Sequence, residues 1–434
     1  MKSVIFHIDV NSAFLSWEAV YRLKHLHDTV DLREMVSAVG GSSQMRHGII
    51  LAKSVKCKAF NIKTGESIME AKNKCPNLLV VPPHYQLYTK CSRAFISVLR
   101  EYTPDVEQYS IDEAFMDMTG TQELWGDPIH IAGKIKDRIQ NDLGFTVNIG
   151  ISSNKLLAKM ASELKKPNRI HTLFPEEIPE KMWTLPVTDL FFVGRAAFKK
   201  VHLLGVRTIG DLAHTNIDLL KLHLKSHGEM IWNYANGIDD SKVVSEPHIN
   251  KGYGNSTTTP YDICSLQMAD MVILSLSETI GMRLRKDNAK IEVISVHLKY
   301  SDFSHASHQT TLSVATNITF EIYQAAAELF RNLWKTEMPV RLIGIHTSHV
   351  SYHNAKEPSD GRQLSLWDLT YDSVFANGGT KNEKLEKADK MVDEIRMKYG
   401  VDSIKRATFM DSPIYHATGG ISKEKHTVDY TIFS

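Results

Sequence analysis

The 434 residues are 42% hydrophobic and 23% charged, which describes a soluble globular chain of two to four domains rather than a disordered or fibrous one. With 51 basic against 50 acidic residues the formal net charge is +1, so any grip on phosphate must come from local patches. Four cysteines (Cys57, Cys75, Cys91, Cys264) without a CxxC pair argue against a disulfide or zinc framework, and no run resembles a secretory leader or reaches the ~18 apolar residues of a membrane span, so a cytoplasmic protein with no membrane partner is expected.

In chain order, "SVIFHIDV" is a β-rich apolar run, read as a buried strand ending at Asp9. "NSAFLSWEAVYRLKHL" has helical spacing, with Asn11 or Ser12 as N-cap. "MVSAVGG" is a second strand. From "RHGIILAKSVKCKAF" to "TGESIMEAKNKCP" two short helix-like pieces are expected. "NLLVVPP" is a strand closed by prolines and "HYQLYTKCSRAFISVLREY" a helix. "DVEQYSI" and "AFMDM" are strands around an Asp-Glu pair. "PIHIAGKIKDRIQNDLG" is an amphipathic helix, "FTVNIGIS" a strand, and "NKLLAKMASELKKP" a helix stopped by Pro167. This mixture predicts one α+β domain over residues 1–170. Residues 175–238 read as short helices separated by glycines, and "HLLGVRTIGDLA" has the helix–turn–helix shape of a DNA-backbone binder. "NGIDDSKVVSEPHINKG" is a polar linker. Residues 251–352 combine β-rich runs with helices near 266–286 and 320–336, a second α+β domain. The tail holds "QLSLWD" and a strongly charged helix near 381–399, which reads as either a partner contact or a solvated face.

The acids in "SIDEAFMDMTG" need an explanation, because carboxylates in an apolar strand lose hydration unless something pairs with them. Asp9, Asp112 and Glu113 at strand ends of one sheet suit a pair of Mg²⁺ ions, which prefer hard oxygen ligands shared with phosphates. Neighbours in a regular strand face opposite ways, so Asp112 and Glu113 share a site only at a turn or bulge. Asp117, five residues beyond Asp112, has the opposite strand parity and so faces away from it. The residues alone leave a second reading open, in which 112–113 is a hairpin turn and Asp9 caps the following helix.

"FHIDVNSAF", "YSIDEAFMD", "GISSNKLLAKMASELKKPN" and "GVRTIGDLA", in this order, resemble the Y-family translesion DNA polymerases. "AVGGSSQMRHGIILAKS" is most similar to the bacterial UmuC/DinB (ImpB/MucB/SamB) branch. The resemblance covers residues 3 to 350 and, weakly, the tail to about 410. It implies an α+β multidomain right-hand fold. Palm would be 1–35 and 78–170, fingers 36–77, and a helical helix-hairpin-helix thumb 171–238. A linker at 239–250 would precede a DNA-binding little finger at 251–353, and a tail would fill 354–434. The implied reaction is template-directed nucleotidyl transfer from a dNTP to a primer 3′-hydroxyl with two Mg²⁺, by a monomer able to bypass lesions. An accessory subunit, which some relatives of this branch require, is left open.

The resemblance also implies roles. Asp9 and Asp112 match the metal-bridging aspartates, Glu113 the adjacent catalytic glutamate, and the Val10 carbonyl a backbone metal ligand. Phe14 matches the steric gate, a ring that leaves no room for a ribose 2′-hydroxyl. Lys166 matches a triphosphate-binding lysine, and Lys58 stands where an arginine usually holds the β/γ-phosphates, keeping the charge without the bidentate fork. Val55 and Ala52 replace a usual tyrosine and threonine, so the lost hydroxyls must be made up by Lys53, Lys56 or Arg46. Bulky Ile49 and Leu51 stand where relatives have small residues, which predicts less tolerance of bulky template lesions. In the thumb, Gly205 and Gly210 fit the hairpin that offers N–H groups to a DNA phosphate, while Phe192 interrupts the usual Gly-x-Gly. Residues 246–352 hold nine Lys/Arg against ten Asp/Glu, so DNA binding there needs a one-sided display, with Arg283, Arg285 and Lys286 the densest cluster. "QLSLW" resembles a sliding-clamp docking peptide in which Gln363, Leu364, Leu366 and Trp367 engage the clamp. A non-catalytic DNA- and clamp-binding homologue with decayed fingers is the principal rival, and a nucleotidyl cyclase on the same sheet a weaker one.

Overall fold

All six residues of β1 (Ile5–Val10) are buried, the mark of a strand covered on both faces. The computed structural model describes residues 3–41, 48–246, 249–334, 338–352, 379–400 and 403–409. The chain divides into two compact units, Met1–Gly41 with Ile49–Pro247, and Ser42–Gly48 with His248–Ser434.

In the first unit, β1 leads into α1 (Ala13–His25). Ser12 is the N-cap, in a left-handed conformation without a side-chain cap bond. The Asn11 side chain instead donates to Asn148 Oδ1 (3.2 Å) and accepts from Thr146 Oγ1 (3.0 Å). Then come β2 (Ser37–Gly40), β3 (Ile50–Lys53), α2 (Ile68–Lys74) and β4 (Leu79–Val81). The expected helix at 50–53 is therefore a strand. Ile50 and Ala52 are buried while Leu51 and Lys53 are half-buried, and Ala38 and Val39 of β2 pair with Lys53 and Ala52. Pairing with β2 overrides local preference there, and helical character begins only in the 3₁₀ turn Val55–Phe60.

Next are α3 (Tyr85–Arg100), β5 (Val106–Gln108), β6 (Glu113–Asp117), α4 (Gln122–Trp125), α5 (Pro128–Arg138), β7 (Val147–Ser152), α6 (Lys155–Glu163) and β8 (Ile170–Thr172). The main sheet has the order β5-β6-β1-β7-β8. Phe6, Ile8 and Val10 of β1 face the core shared with Trp17, Tyr88, Phe95 and Ile135. Ile5, His7 and Asp9 face α6, touching Ala158, Ser162 and Lys166. Gly150 on β7 sets the depth of α6. A Cβ there would lie 1.9 Å from the Ala158 carbonyl and 2.4 Å from the Ser162 nitrogen, so only glycine lets the helix lie this close.

Five helices follow: α7 (Ile178–Lys181), α8 (Arg195–Leu203), α9 (Ile209–His214), α10 (Ile217–Leu224) and α11 (Ser226–Ala235). Residues 239–244, part of the stretch read as a polar linker, are tied to the first unit. Asp239 accepts the Leu156 N–H (3.0 Å), and buried Glu107 accepts both Lys155 Nζ (2.7 Å) and the Val244 N–H (2.8 Å).

The second unit contains β9 (Gly254–Ile263), α12 (Leu266–Lys286), β10 (Ala289–Tyr300), β11 (His305–Thr316), α13 (Thr319–Leu333) and β12 (Val340–Tyr352). Its antiparallel sheet has the order β11-β10-β12-β9, and buried residues of α12 and α13 share a core with the strands. The charged tail helix, α14 (Gly379–Tyr399), is neither a solvated face throughout nor loosely attached. Arg285 of α12, whose side chain is 5% exposed, donates to Asp393 (2.6 Å), Asp389 (3.1 Å) and the Asn317 carbonyl (2.8 Å). Glu278, 3% exposed, accepts from Arg396 (3.2 Å) and Arg406 (2.5 Å). Charged side chains alone gave no sign of this, because a buried ion network and a solvated helix have the same composition.

Candidate active site

β1 ends at Asp9, which stands opposite Glu113 of β6 on one side and Asn148 of β7 on the other. The Val10 N–H donates to the Asp112 carbonyl (3.0 Å), holding residue 112 across from β1. Asp112 lies just before β6, in a turn organised by Ser110. The Ser110 hydroxyl donates to Asp112 Oδ1 (2.7 Å) and accepts the N–H groups of Asp112 (3.2 Å) and Glu113 (3.0 Å). This turn resolves the parity problem, since Asp112 is outside the regular strand. Asp9, Val10, Asp112 and Glu113 all line one cleft of about 430 Å³. Asp117 sits at the far end of β6, pairs with Ile5 and accepts the Thr119 N–H (2.8 Å), away from the cleft.

A further carboxylate joins Asp9 and Glu113, in a cluster that does not include Asp112. Oxygens of Asp9, Glu113 and Glu163 lie within 4.8 Å of one another. Glu163 was not anticipated. The signal was present in "AKMASELKKP", where Lys159, Glu163 and Lys166 recur at i, i+4 and i+7 on one side of a helical repeat. Lys166 donates to Asp9 and to Glu163 (2.7 Å), and Lys159 donates to both oxygens of Glu113 (3.0 and 2.9 Å). Burial raises the Asp9 carboxyl to about 7, against the pull of Lys166 and with a push from Glu163 and Glu113. Behind them His7 is fully buried, with Nδ1 2.7 Å from Ser162 Oγ. Burial, Lys159 and Lys166 hold it well below the ordinary histidine range.

Phe14 forms a wall of the cleft, stacked on Tyr88 (4.6 Å between centroids, 13°) with Tyr85 edge-on at 6.3 Å. Leu51, Ala52, Lys53, Val55 and Lys58 line the cleft as well. Of the lysines expected to make up for the missing hydroxyls, Lys53 reaches the cleft, whereas Lys56 donates to the Glu34 carbonyl. Arg46 lies outside the described residues. Thr64, which the sequence did not single out, adds an exposed hydroxyl-bearing side chain to the lining. Ile49 is 44% exposed and does not line the cleft.

Between α8 and α9, Gly205 has φ +84°, and a Cβ on Gly210 would lie 3.0 Å from Trp183 Cβ. Phe192 takes φ +70°, the left-handed conformation a glycine would adopt without strain. Arg283 and Lys286 are exposed, with the Arg283 guanidinium 5.5 Å over the Tyr253 ring. Arg285 corrects the expectation of a three-residue basic display, because its charge is spent inside the unit on Asp389 and Asp393. Gln363, Leu364, Leu366 and Trp367 lie outside the described residues.

Residues 8–163 match the model of the impB/mucB/samB family, and residues 250–366 match that of its C-terminal domain. The chain belongs to this family, the Y-family DNA polymerases. It is 44% identical over 412 residues to a protein of Clostridium acetobutylicum called DNA polymerase IV, covering 95% of this chain and 99% of that one. A DNA polymerase IV of Acetivibrio thermocellus is 36% identical, with coverage of 94% and 98%. Among solved structures, a Y-family DNA polymerase chimera superposes with a TM-score of 0.69 at 22% identity, covering 80% of this chain and 99% of that one. The Y-family chain thus has the α+β palm, fingers, thumb and little-finger architecture that its motifs implied.

Proposed function

We infer that the chain is a DNA-directed DNA polymerase of the lesion-bypass kind, which joins a dNTP to a primer 3′-hydroxyl under template direction. The observation that carries this reading is the convergence of Asp9, Asp112 and Glu113 on one cleft walled by Phe14 and edged by Lys166 and Lys58. The rival with decayed fingers is not favoured, because two lysines and Thr64 remain in that lining. The palm is assigned to 1–35 and 78–170, the fingers to 36–77, the thumb to 171–238 and the little finger to 251–353. Primer extension on undamaged templates and on a panel of damaged ones tests the reading. A parent protein that binds primer-template yet adds no nucleotide with any divalent metal would sink it.

The donor set is all oxygen, which suits Mg²⁺. Asp9, Asp112, Glu113 and the Val10 carbonyl would hold two ions, whose chemistry is to activate the primer hydroxyl and stabilise the leaving pyrophosphate. Asp9 must release its proton to serve as a ligand. With its carboxyl raised to about 7, proton and metal compete below that pH. Mg²⁺ affinity of the free protein, measured by calorimetry, is expected to fall as pH drops from 8 to 6, with proton release on binding. An affinity flat across that range contradicts the assignment of Asp9.

Lys166 and Lys58 bind the triphosphate as point charges. Phe14 excludes the 2′-hydroxyl because its ring is held by Tyr88 and Tyr85 and cannot retreat. Phe14→Ala is expected to improve ribonucleotide use relative to deoxynucleotide by about 100-fold, read as the ratio of the two kcat/KM values. An unchanged ratio removes the gate from Phe14. Arg283, Lys286, Gly205 and Gly210 are assigned to primer-template DNA. Gln363, Leu364, Leu366 and Trp367 are assigned to a sliding clamp, with the working location the cytoplasm.

A further inference from the structure

Lys159 has an ammonium-bearing side chain in the palm that solvent scarcely reaches, at 8% exposure. A buried ammonium is costly unless paired. Its partners are both oxygens of Glu113, at 3.0 and 2.9 Å, and two aromatic faces. The Tyr109 ring centroid lies 5.3 Å from Nζ and the Phe191 centroid 5.0 Å. Phe191 precedes α8 in the helical region, so palm and helical region together close the cage. A ring nitrogen, His7 Nε2, is 3.9 Å from Glu113 Oε2 and has no hydrogen-bond partner. Among the described residues, Lys159 is the one charged donor seated on this carboxylate.

We propose that Lys159 is a positioning residue for nucleotide transfer, holding the Glu113 carboxylate in the orientation it presents to the cleft. The terminal torsion of a glutamate is broad and roughly two-fold, so the carboxylate turns freely without a donor on both oxygens. Lys159 also offsets one negative charge of the Asp9–Glu113–Glu163 group. The two effects give its removal a signature of opposite signs: weaker turnover and tighter binding of a metal cation. A merely structural lysine moves neither, because its loss, which leaves Glu113 unpaired, lowers stability without altering turnover or metal affinity of the protein that stays folded. This proposal rests on reading Glu113 as part of the reacting site.

Lys159→Met fills the aromatic cage without charge. For single-nucleotide insertion its kcat is expected to fall about 30-fold with the dNTP KM within about threefold of the parent. Mn²⁺ binding to the free protein, without DNA or nucleotide and followed by electron paramagnetic resonance, should tighten about three- to tenfold. In a Glu113→Gln background the same substitution should change the rate by less than about threefold, since the interaction is already gone. Lys159→Arg, which keeps the charge, is expected to retain parental Mn²⁺ affinity and a rate within about tenfold of the parent. Parental kcat and parental Mn²⁺ affinity in Lys159→Met overturn the proposal. If Lys159→Met does not fold, an arginine variant that is folded and as slow as Glu113→Gln overturns it instead. A parent protein unable to extend primers would remove the polymerase reading, while the Mn²⁺ measurement would still decide whether Lys159 governs the Glu113 charge.

Discussion

Asp9→Asn and Asp112→Asn should each lower the rate of primer extension by about 1,000-fold or more, corresponding to ~4 kcal/mol of transition-state stabilisation. Both substitutions keep the shape of the side chain and remove its charge. Asp9 sits at 6% exposure on β1 with strand partners on both sides, so the fold gives it no freedom to be replaced by a neighbour. The same burial that raises its carboxyl to about 7 makes the charge unfavourable to the folded state above that pH. Melting temperature at pH 8 should therefore hold or rise in Asp9→Asn while activity collapses. That split separates a reacting group from a structural one. Single-turnover extension with saturating dNTP, paired with thermal melts, checks it. A rate within tenfold of the parent in either variant would falsify the assignment.

Arg285→Ala carries the largest expected effect on stability. The guanidinium is 5% exposed and holds two aspartates of α14 and a carbonyl ahead of α13. Removing one member of a buried network leaves the others charged and unpaired, at a cost of about 3–5 kcal/mol. Chemical denaturation of the parent and variant should show the second unit losing that much, with hydrogen exchange in α14 rising first. Arg283→Ala, one helical half-turn away and exposed, should cost less than about 1 kcal/mol and act on DNA binding instead. Equal stability of the two variants would refute the network's role.

These two residues show what a linear sequence conveys and what it withholds. Arg283, Arg285 and Lys286 read as one basic cluster because sequence gives their spacing. Which face of α12 meets α14 depends on a helix about a hundred residues further on. Strand β3 was missed for the same reason, since its pairing partner β2 lies across the residues 42–48. Asp9, Asp112 and Phe14 were picked out because each sits in a stretch that resembles a family motif, while the residues alone left other readings open; the structure adds that the three line one cleft. Whether Glu113 joins Asp112 in one cleft was not legible, because it depends on the Ser110 turn and not on alternation. Glu163 and Lys159 were visible as letters on a helix, yet nothing in their spacing said that the helix lies against β1 and β7.

Gly150 gives that helix its place, and the consequence reaches beyond packing. Lys159 and Glu163 ride on α6 and Lys166 follows it within three residues, so their charges move with the helix as one piece. Where a helix rests on backbone atoms of a strand, with no side chain between, there is no cushion that can relax while the rest stays put. The charged groups over the cleft are then geared to the sheet beneath them, and the site is lost whole, together with the palm, rather than residue by residue.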